Sequence, residues 1–281
     1  MKKLSIIIVG RDDGYGDDEL SPYKLNVPDS FVFRMKRTME QNITDLTNHF
    51  HIDDIEYVVV DWSPIEQKYL HNSNYLQTIL SESFVKNVIV HPHIVEARGW
   101  NPNNFYEYYA KNIGLRHAEG DYILVTNPDI IFSDVVCRDI YDAVQGGAVD
   151  EYYRPYSRID TDNQLNRLGE GLSFPKNGIE VDEIIGTPAA GDFVLTTKNN
   201  FINVAGGYDE IQPSHFNNKQ GSLDGNLVIN LYLSEIKPVC LSGSIMHLDH
   251  AKPGFELRHG TRSYSKYTNN DNWGRLEVEI K

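Results

Sequence analysis

Four short apolar runs dominate the first half of the chain, and they are nearly continuous rather than alternating: residues 4–9 (LSIIIV), 55–60 (IEYVVV), 87–90 (NVIV) and 121–126 (DYILVT). A strand covered on one face alternates apolar and polar positions, whereas one covered on both faces reads as an unbroken apolar run. The segments between them carry helical period. Residues 31–50 place Val32, Met35, Met39, Ile43, Leu46 and Phe50 three and four apart, which predicts a helix with one apolar face. Residues 66–86 read as a second helix. FYEYYAKNIGLRHAEG reads as a third, with Asn103 or Asn104 as its cap, Phe105, Tyr109 and Ile113 on one face, and Gly120 closing the turn. Strands regularly separated by helices predict an α/β fold, a doubly wound sheet with helices on both faces. Ligands of such sheets lie beyond the carboxyl ends of the strands. Those ends here carry Arg11 and Asp12, Asp61, and Asn127-Pro128-Asp129.

Composition narrows the partners. With 281 residues and 40% hydrophobic content, the chain is expected to form one domain over 1–281 with a sizeable core. Forty acidic residues against 26 basic ones give a net charge of −14, and no Lys/Arg cluster offers a footprint for a polyphosphate backbone, so nucleic acid is not an expected partner. An acidic protein that binds a phosphorylated small molecule needs local positive charge, from placed Arg/Lys or from a divalent cation on oxygen ligands. Cys137 and Cys240 lack the spacing of a zinc site or redox pair and are expected to be reduced structural thiols. The opening MKKLSIIIVGRDDG has an apolar run of about seven residues that meets Arg11-Asp12-Asp13 at once, which reads as a buried first strand rather than a signal peptide. No segment approaches the ~20 apolar residues of a membrane span, and a cytoplasmic location is the expectation. Residues 150–190, polar and Tyr-rich, are expected to form a long excursion over the sheet, a candidate binding loop. A further helix is expected near 223–235, followed by a polar, aromatic tail.

VTNPDIIF, residues 125–132, interrupts a strand-forming run with three turn-forming residues. A plain turn explains it. So does a ligand site, because Asn127 and Asp129 lie two apart and share a side of an extended strand, and Pro128 biases Asn127 toward that conformation. Such a strand-end pair can hold a divalent ion against a nucleotide diphosphate. In MHLDH, His247 and Asp249 likewise share a face if extended, with His250 opposite; a surface polar patch is the alternative. His91 and His93, flanking Pro92, are expected to be loop residues without a ligand role.

Taken in order, these motifs resemble the glycosyltransferases of the GT-A fold, particularly the inverting family 2, over most of residues 4–250. LSIIIVGRDD is similar to the first strand and donor loop, which implies donor contacts for Arg11 and Asp12. EYVVVDWSP resembles the strand whose terminal acid, here Asp61, recognises the nucleotide base. AKNIGLRHAEGDYILVTNPDIIF resembles the Ala-Arg-Asn-x-Gly helix and the strand ending in Asp-x-Asp, with Asn127 in place of the first acid, a variant of rhamnosyltransferase-like members. GDFVLTTKNNFINVAGGYDE resembles the acceptor-side strand, helix and turn, and SLDGNL the start of the catalytic helix. The resemblance implies a nucleotide-sugar-binding half over 1–134, an acceptor and catalytic half over 135–250, and a tail over 251–281.

For the reaction it implies a nucleotide-diphosphate sugar, a glycan or other hydroxyl acceptor, and Mn²⁺ or Mg²⁺ held by Asp129 and a late histidine, His247. Lys111, Arg98 or Arg116 would help neutralise the leaving diphosphate. Asp224 is the expected base for the acceptor hydroxyl, although it equally suits a helix N-cap. Asp192, Tyr208 and Asp209 are expected to approach the sugars, with a tight turn at Gly206-Gly207. Trp100, Tyr152, Tyr153 and Tyr156 offer flat faces for a sugar ring or simply pack. Two other readings stay open: a catalytically silent nucleotide- or carbohydrate-binding protein, and a sugar nucleotidyltransferase, although the latter normally carries a basic Gly-rich loop where this chain has Arg11-Asp12-Asp13-Gly14.

Overall fold

A computed structural model describes residues 2–12, 31–162, 164–168, 172–173, 192–210, 223–248, 269 and 272–281, with backbone alone at 172–173 and 223–224. The elements run β1 (Leu4–Gly10), α1 (Phe31–Leu46), β2 (Ile55–Trp62), α2 (Gln77–Leu80), β3 (Val85–Val90), α3 (Pro92–Ala97), α4 (Glu107–His117), β4 (Tyr122–Thr126), β5 (Ile130–Phe132) and α5 (Asp134–Gly146). They continue with β6 (Glu151–Arg154), β7 (Ser157–Thr161), β8 (Leu172–Ser173), β9 (Phe193–Thr197), a π-helical turn (Asn200–Val204), α6 (Leu223–Leu233), β10 (Lys237–Cys240), β11 (Ser244–Leu248) and β12 (Glu279–Ile280).

The main sheet has the order β10-β6-β9-β4-β1-β2-β3-β12. Strands β1 to β4 are mutually parallel, β9 runs antiparallel to β4, and β12 antiparallel to β3. Every residue of β1, β2 and β4 is buried, as the continuous apolar runs require. Alternation within β1 divides the core. Leu4, Ile6 and Ile8 face a cluster with Phe31, Met35 and Met39 of α1, while Ile7 and Val9 face Ile113 of α4. Gly114 lets α4 approach this closely, since a Cβ there would stand 2.5 Å from Ile7 Cγ2.

A second sheet, β5-β11-β7-β8, forms beside the first. Within the excursion expected over 150–190, the described residues form strands: β6 joins the main sheet, and β7 pairs in parallel with β11, so that Asp160 stands opposite His247. The helix expected over 66–86 is corrected. Positive φ at Glu66 and Gln67 breaks the segment into two 3₁₀ turns and the single turn of α2. Finally, α4 starts at Glu107 with no side-chain cap, not at Asn103 or Asn104. The reason is tertiary: the Pro102, Asn103 and Asn104 carbonyls accept from Arg11, Ser63 and Trp62, which hold that stretch as a loop.

Candidate functional site

The carboxyl ends of β1 and β2 lie side by side, Gly10 in register with Asp61. Arg11 is buried and donates to the Pro102 carbonyl at 3.2 Å and the Asn103 carbonyl at 2.9 Å, so the loop before α4 is tied down across the strand ends. Asp61 is 2% exposed. Its Oδ2 accepts the Leu70 N–H at 2.8 Å, while its Oδ1 is buried and meets no hydrogen-bond donor among the described residues. Burial pushes the carboxyl up to about 7. The Leu70 N–H and Arg11 oppose the rise, and Asp12 adds to it.

The Asn127-Pro128-Asp129 segment is held from below by α1. Thr38 Oγ1 donates to the Pro128 carbonyl, and Asn42 bonds both the Ile130 carbonyl and the Phe132 N–H, each at 2.8 Å. The strand therefore halts here and resumes in the other sheet as β5. Asn127 Nδ2 donates to Asp192 Oδ1 at 2.8 Å, which leaves its amide oxygen buried without a hydrogen bond among the described residues. An amide carbonyl in that state suits a hard cation or a hydroxyl donor.

Because β11 lies between β5 and β7, it sets His247 between two carboxylates. Nε2 is 3.6 Å from Asp129 Oδ2 and Nδ1 is 2.9 Å from Asp160 Oδ1. Arg158 closes the cluster, donating to Asp160 through Nε and Nη2 and to Asp192 through Nη1. The His247 hydrogen bond, with Arg158 behind it, holds the Asp160 carboxyl well below the usual carboxylate range despite burial. Asp129 thus meets His247 directly, and Asn127 and Asp192 join the same cluster through Arg158 and Asp160. Arg158 and Asp160 were missed, although their spacing of two in SRIDT marks them as sharing a strand face.

Other sequence candidates are placed elsewhere. Lys111 is fully buried in an ion pair of 2.6 Å with Glu107, its ammonium 5.5 Å from the centres of the Tyr108 and Tyr208 rings. Arg116 is removed from the strand ends altogether: it lies in the last turn of α4, its guanidinium 3.7 Å over the Trp273 ring. Arg98 donates to the Arg275 carbonyl, and no described contact joins it to Arg11, Asp61 or Asp129. Tyr208 is 1% exposed and packs inside the core beside Tyr108. Tyr152 and Tyr153 are likewise buried, one in each half of the core. Trp100 packs on Tyr109 at 4.4 Å.

Asp209 is half-buried. Burial raises its carboxyl above the usual value, and a 3.3 Å bond from Asn226 opposes the rise. Asp224 lies second in α6, inside the first turn rather than at a cap, and its side chain falls outside the described residues. Asp249 and His250 also lie outside them. Asp12 adjoins Arg11 at the end of β1. His91 stacks on His93 at 5.5 Å and pairs with Glu279 at 2.9 Å, which gives it a structural contact at the sheet edge.

The donor set fits a divalent ion of the Mn²⁺ or Mg²⁺ type in part. Asp160 on Nδ1 orients the imidazole so that Nε2 faces Asp129, the arrangement in which an outer carboxylate fixes a ligating histidine. No group of three or more His, Cys, Asp or Glu suited to one ion occurs among the described residues. An ion at this place would therefore rest on Asp129 and His247 and take its remaining oxygens from substrate and water.

No family model matches the sequence, and no curated protein matches it either. Solved structures do. A crystal structure of S. aureus TarS 1–349 aligns with a TM-score of 0.52 at 13% identity, over 88% of this chain and 60% of that one. A second S. aureus TarS structure gives 0.51 at 13% identity, over 88% of this chain and 37% of the other. The chain therefore spans 60% and 37% of the lengths of these two solved chains. The likeness defines the fold alone: a GT-A architecture, a Rossmann-like mixed sheet with helices on both faces. No helix among the described residues is long and apolar enough to cross a membrane.

Proposed function

We propose that this protein is a glycosyltransferase, moving a sugar from a nucleotide-diphosphate donor to a hydroxyl acceptor, a glycan, with inversion at the anomeric carbon. The observation that carries this reading is the convergence of Asn127, Asp129, Asp192 and His247, from distant parts of the chain, into one polar cluster at the end of β4. It lies in the same sheet as the Asp61 end of β2, one strand away. Asp61 and Arg11 would face the nucleotide, and Asn127 and Asp129 the ribose and diphosphate. A divalent cation on Asp129 and His247 would supply positive charge to the leaving diphosphate. Arg158 holds Asp160 and Asp192 in place through its three hydrogen bonds. Asp224 is assigned as the base that takes the acceptor proton, with Asp209 bonding the acceptor.

A second reading has its own support. Asn127 replaces an acid, and no three-ligand group stands among the described residues, which suits a nucleotide-binding protein without turnover. Incubating the protein with UDP-, GDP- and dTDP-sugars and a panel of acceptor glycans, with and without Mn²⁺, separates the two. Release of nucleoside diphosphate that is lost in Asp129→Ala is expected. Tight nucleotide binding with no release from any donor would favour the silent binder.

A further inference from the structure

Asp192 is expected from the resemblance to approach a sugar, yet each of its oxygens already has a donor inside the protein. Oδ1 accepts from Asn127 Nδ2 at 2.8 Å and Oδ2 from Arg158 Nη1. The sheet sets up this arrangement. Thr126 of β4 is in register with Phe193 of β9, and the Thr126 hydroxyl donates to the Asp192 carbonyl at 2.7 Å, so Asn127 and Asp192 stand opposite each other one step past the ladder. With its side chain 9% exposed, Asp192 has little surface left for a substrate.

That contact decides which way the Asn127 amide faces. A carboxylate accepts and does not donate, so the NH₂ turns toward Asp192 and the carbonyl away from it. The carbonyl oxygen is buried and has no hydrogen-bond partner among the described residues. A buried acceptor left open is costly, and a ligand that brings a cation or a hydroxyl hydrogen relieves the cost.

On the reading of this cleft as the donor site, we propose that Asp192 is a positioning residue: it holds the Asn127 amide with its oxygen toward a cation or hydroxyl of a nucleoside diphosphate, and it makes an amide obligatory at position 127. An acid there would set two carboxylates against each other in place of a 2.8 Å hydrogen bond. Asp192→Asn fails by the opposite route. Arg158 has only donors, so the new amide turns its oxygen to Arg158 and its NH₂ to Asn127. Asn127 then turns over and presents NH₂ where the ligand needs an acceptor. The exchange of Asn127→Asp together with Asp192→Asn repairs both faults. The amide at position 192 accepts from Arg158 and donates to the acid at position 127, whose other oxygen faces the ligand.

Calorimetric titration of the whole chain with UDP, GDP and dTDP, with Mn²⁺ and with EDTA, tests the assignment on nucleotides that carry no sugar. Asn127→Asp and Asp192→Asn should each weaken binding at least ~10-fold, and the double exchange should restore it to within about 3-fold of the unsubstituted chain. Loss confined to the Mn²⁺ arm assigns the Asn127 oxygen to the cation; equal loss with EDTA assigns it to a hydroxyl. Asn127→Asp binding as tightly as the unsubstituted chain, or a double exchange no better than the single changes, would overturn the role of Asp192 while leaving the donor site standing. So would an Asp192→Asn chain that weakens only sugar-bearing donors, the mark of a direct sugar contact. A measurement on the unsubstituted, ¹³C-labelled protein covers the case in which the variants misfold: the Asn127 side-chain carbonyl resonance should shift when nucleotide and Mg²⁺ are added, and an unmoved resonance would overturn the proposal. If no nucleotide bound to the folded, unsubstituted chain, the donor-site reading itself would fall, and this one with it.

Discussion

Asp61 and Asp160 are two carboxylates at the ends of two sheets, and their surroundings drive them in opposite directions. Asp61 is enclosed with a single backbone donor on one oxygen, and its carboxyl rises to about 7. Asp160 receives His247 and Arg158 and is held well below its ordinary value. Burial alone does not decide the charge of an acid; the number of cationic or N–H partners does. The main sheet thus ends in a buried acid with one oxygen unpaired among the described residues, and the second sheet in one that holds charge and aims a histidine.

The largest effect that sharpens this contrast is expected at Asp129, the residue Asp160 serves through His247. Asp129→Ala should reduce metal-dependent turnover by about 10²- to 10³-fold, read from steady-state release of nucleoside diphosphate. Unchanged turnover would remove the second sheet from the chemistry. Next comes the pH dependence of stability at Asp61. Its folded value lies above the unfolded one, so the folded chain binds more protons between pH ~4 and ~7, and this group's contribution falls as pH rises through that window, by about 2–4 kcal/mol at most. Chemical denaturation from pH 5 to 8 should show that loss, and Asp61→Asn should flatten it.

Asp160 has the opposite sign: its contribution is present above pH ~4 and is lost only in stronger acid. Asp160→Asn is expected to weaken Mn²⁺-dependent nucleotide binding by about 10- to 100-fold by freeing the His247 ring, with smaller effect on binding without metal. Loss of both alike would make Asp160 merely structural. The smallest effect is reserved for the exposed pair Lys237–Asp150, 3.0 Å apart. Replacing Lys237 by Met should leave the urea unfolding midpoint unchanged within error, since both partners are exposed.

The same contrast explains what could be read without coordinates. Strands β1, β2 and β4 are covered on both faces, so their apolar runs declare them and place Asp61 and Asn127 at strand ends. The second sheet is built from short, mixed strands such as SRIDT, paired across 87 positions between Asp160 and His247, and no local pattern carries such a pairing. The Glu107 partner of Lys111 and the Trp273 ring under Arg116 could not be read in the same way, because periodicity does not name the partner a charged side chain meets. The positive φ of Glu66 and Gln67 leaves no mark in residue type, which made 66–86 look helical.

Two clusters at the ends of two sheets serving one nucleotide is the central assertion, and a crystal of the chain grown with UDP and Mn²⁺ addresses it directly. One bound molecule is expected, with its base against Asp61 and its diphosphate against Asp129. An anomalous peak should stand roughly 2.0–2.4 Å from an Asp129 oxygen and His247 Nε2. A nucleotide that touches only one of these two acids, with the ion bound apart from the other, would contradict it.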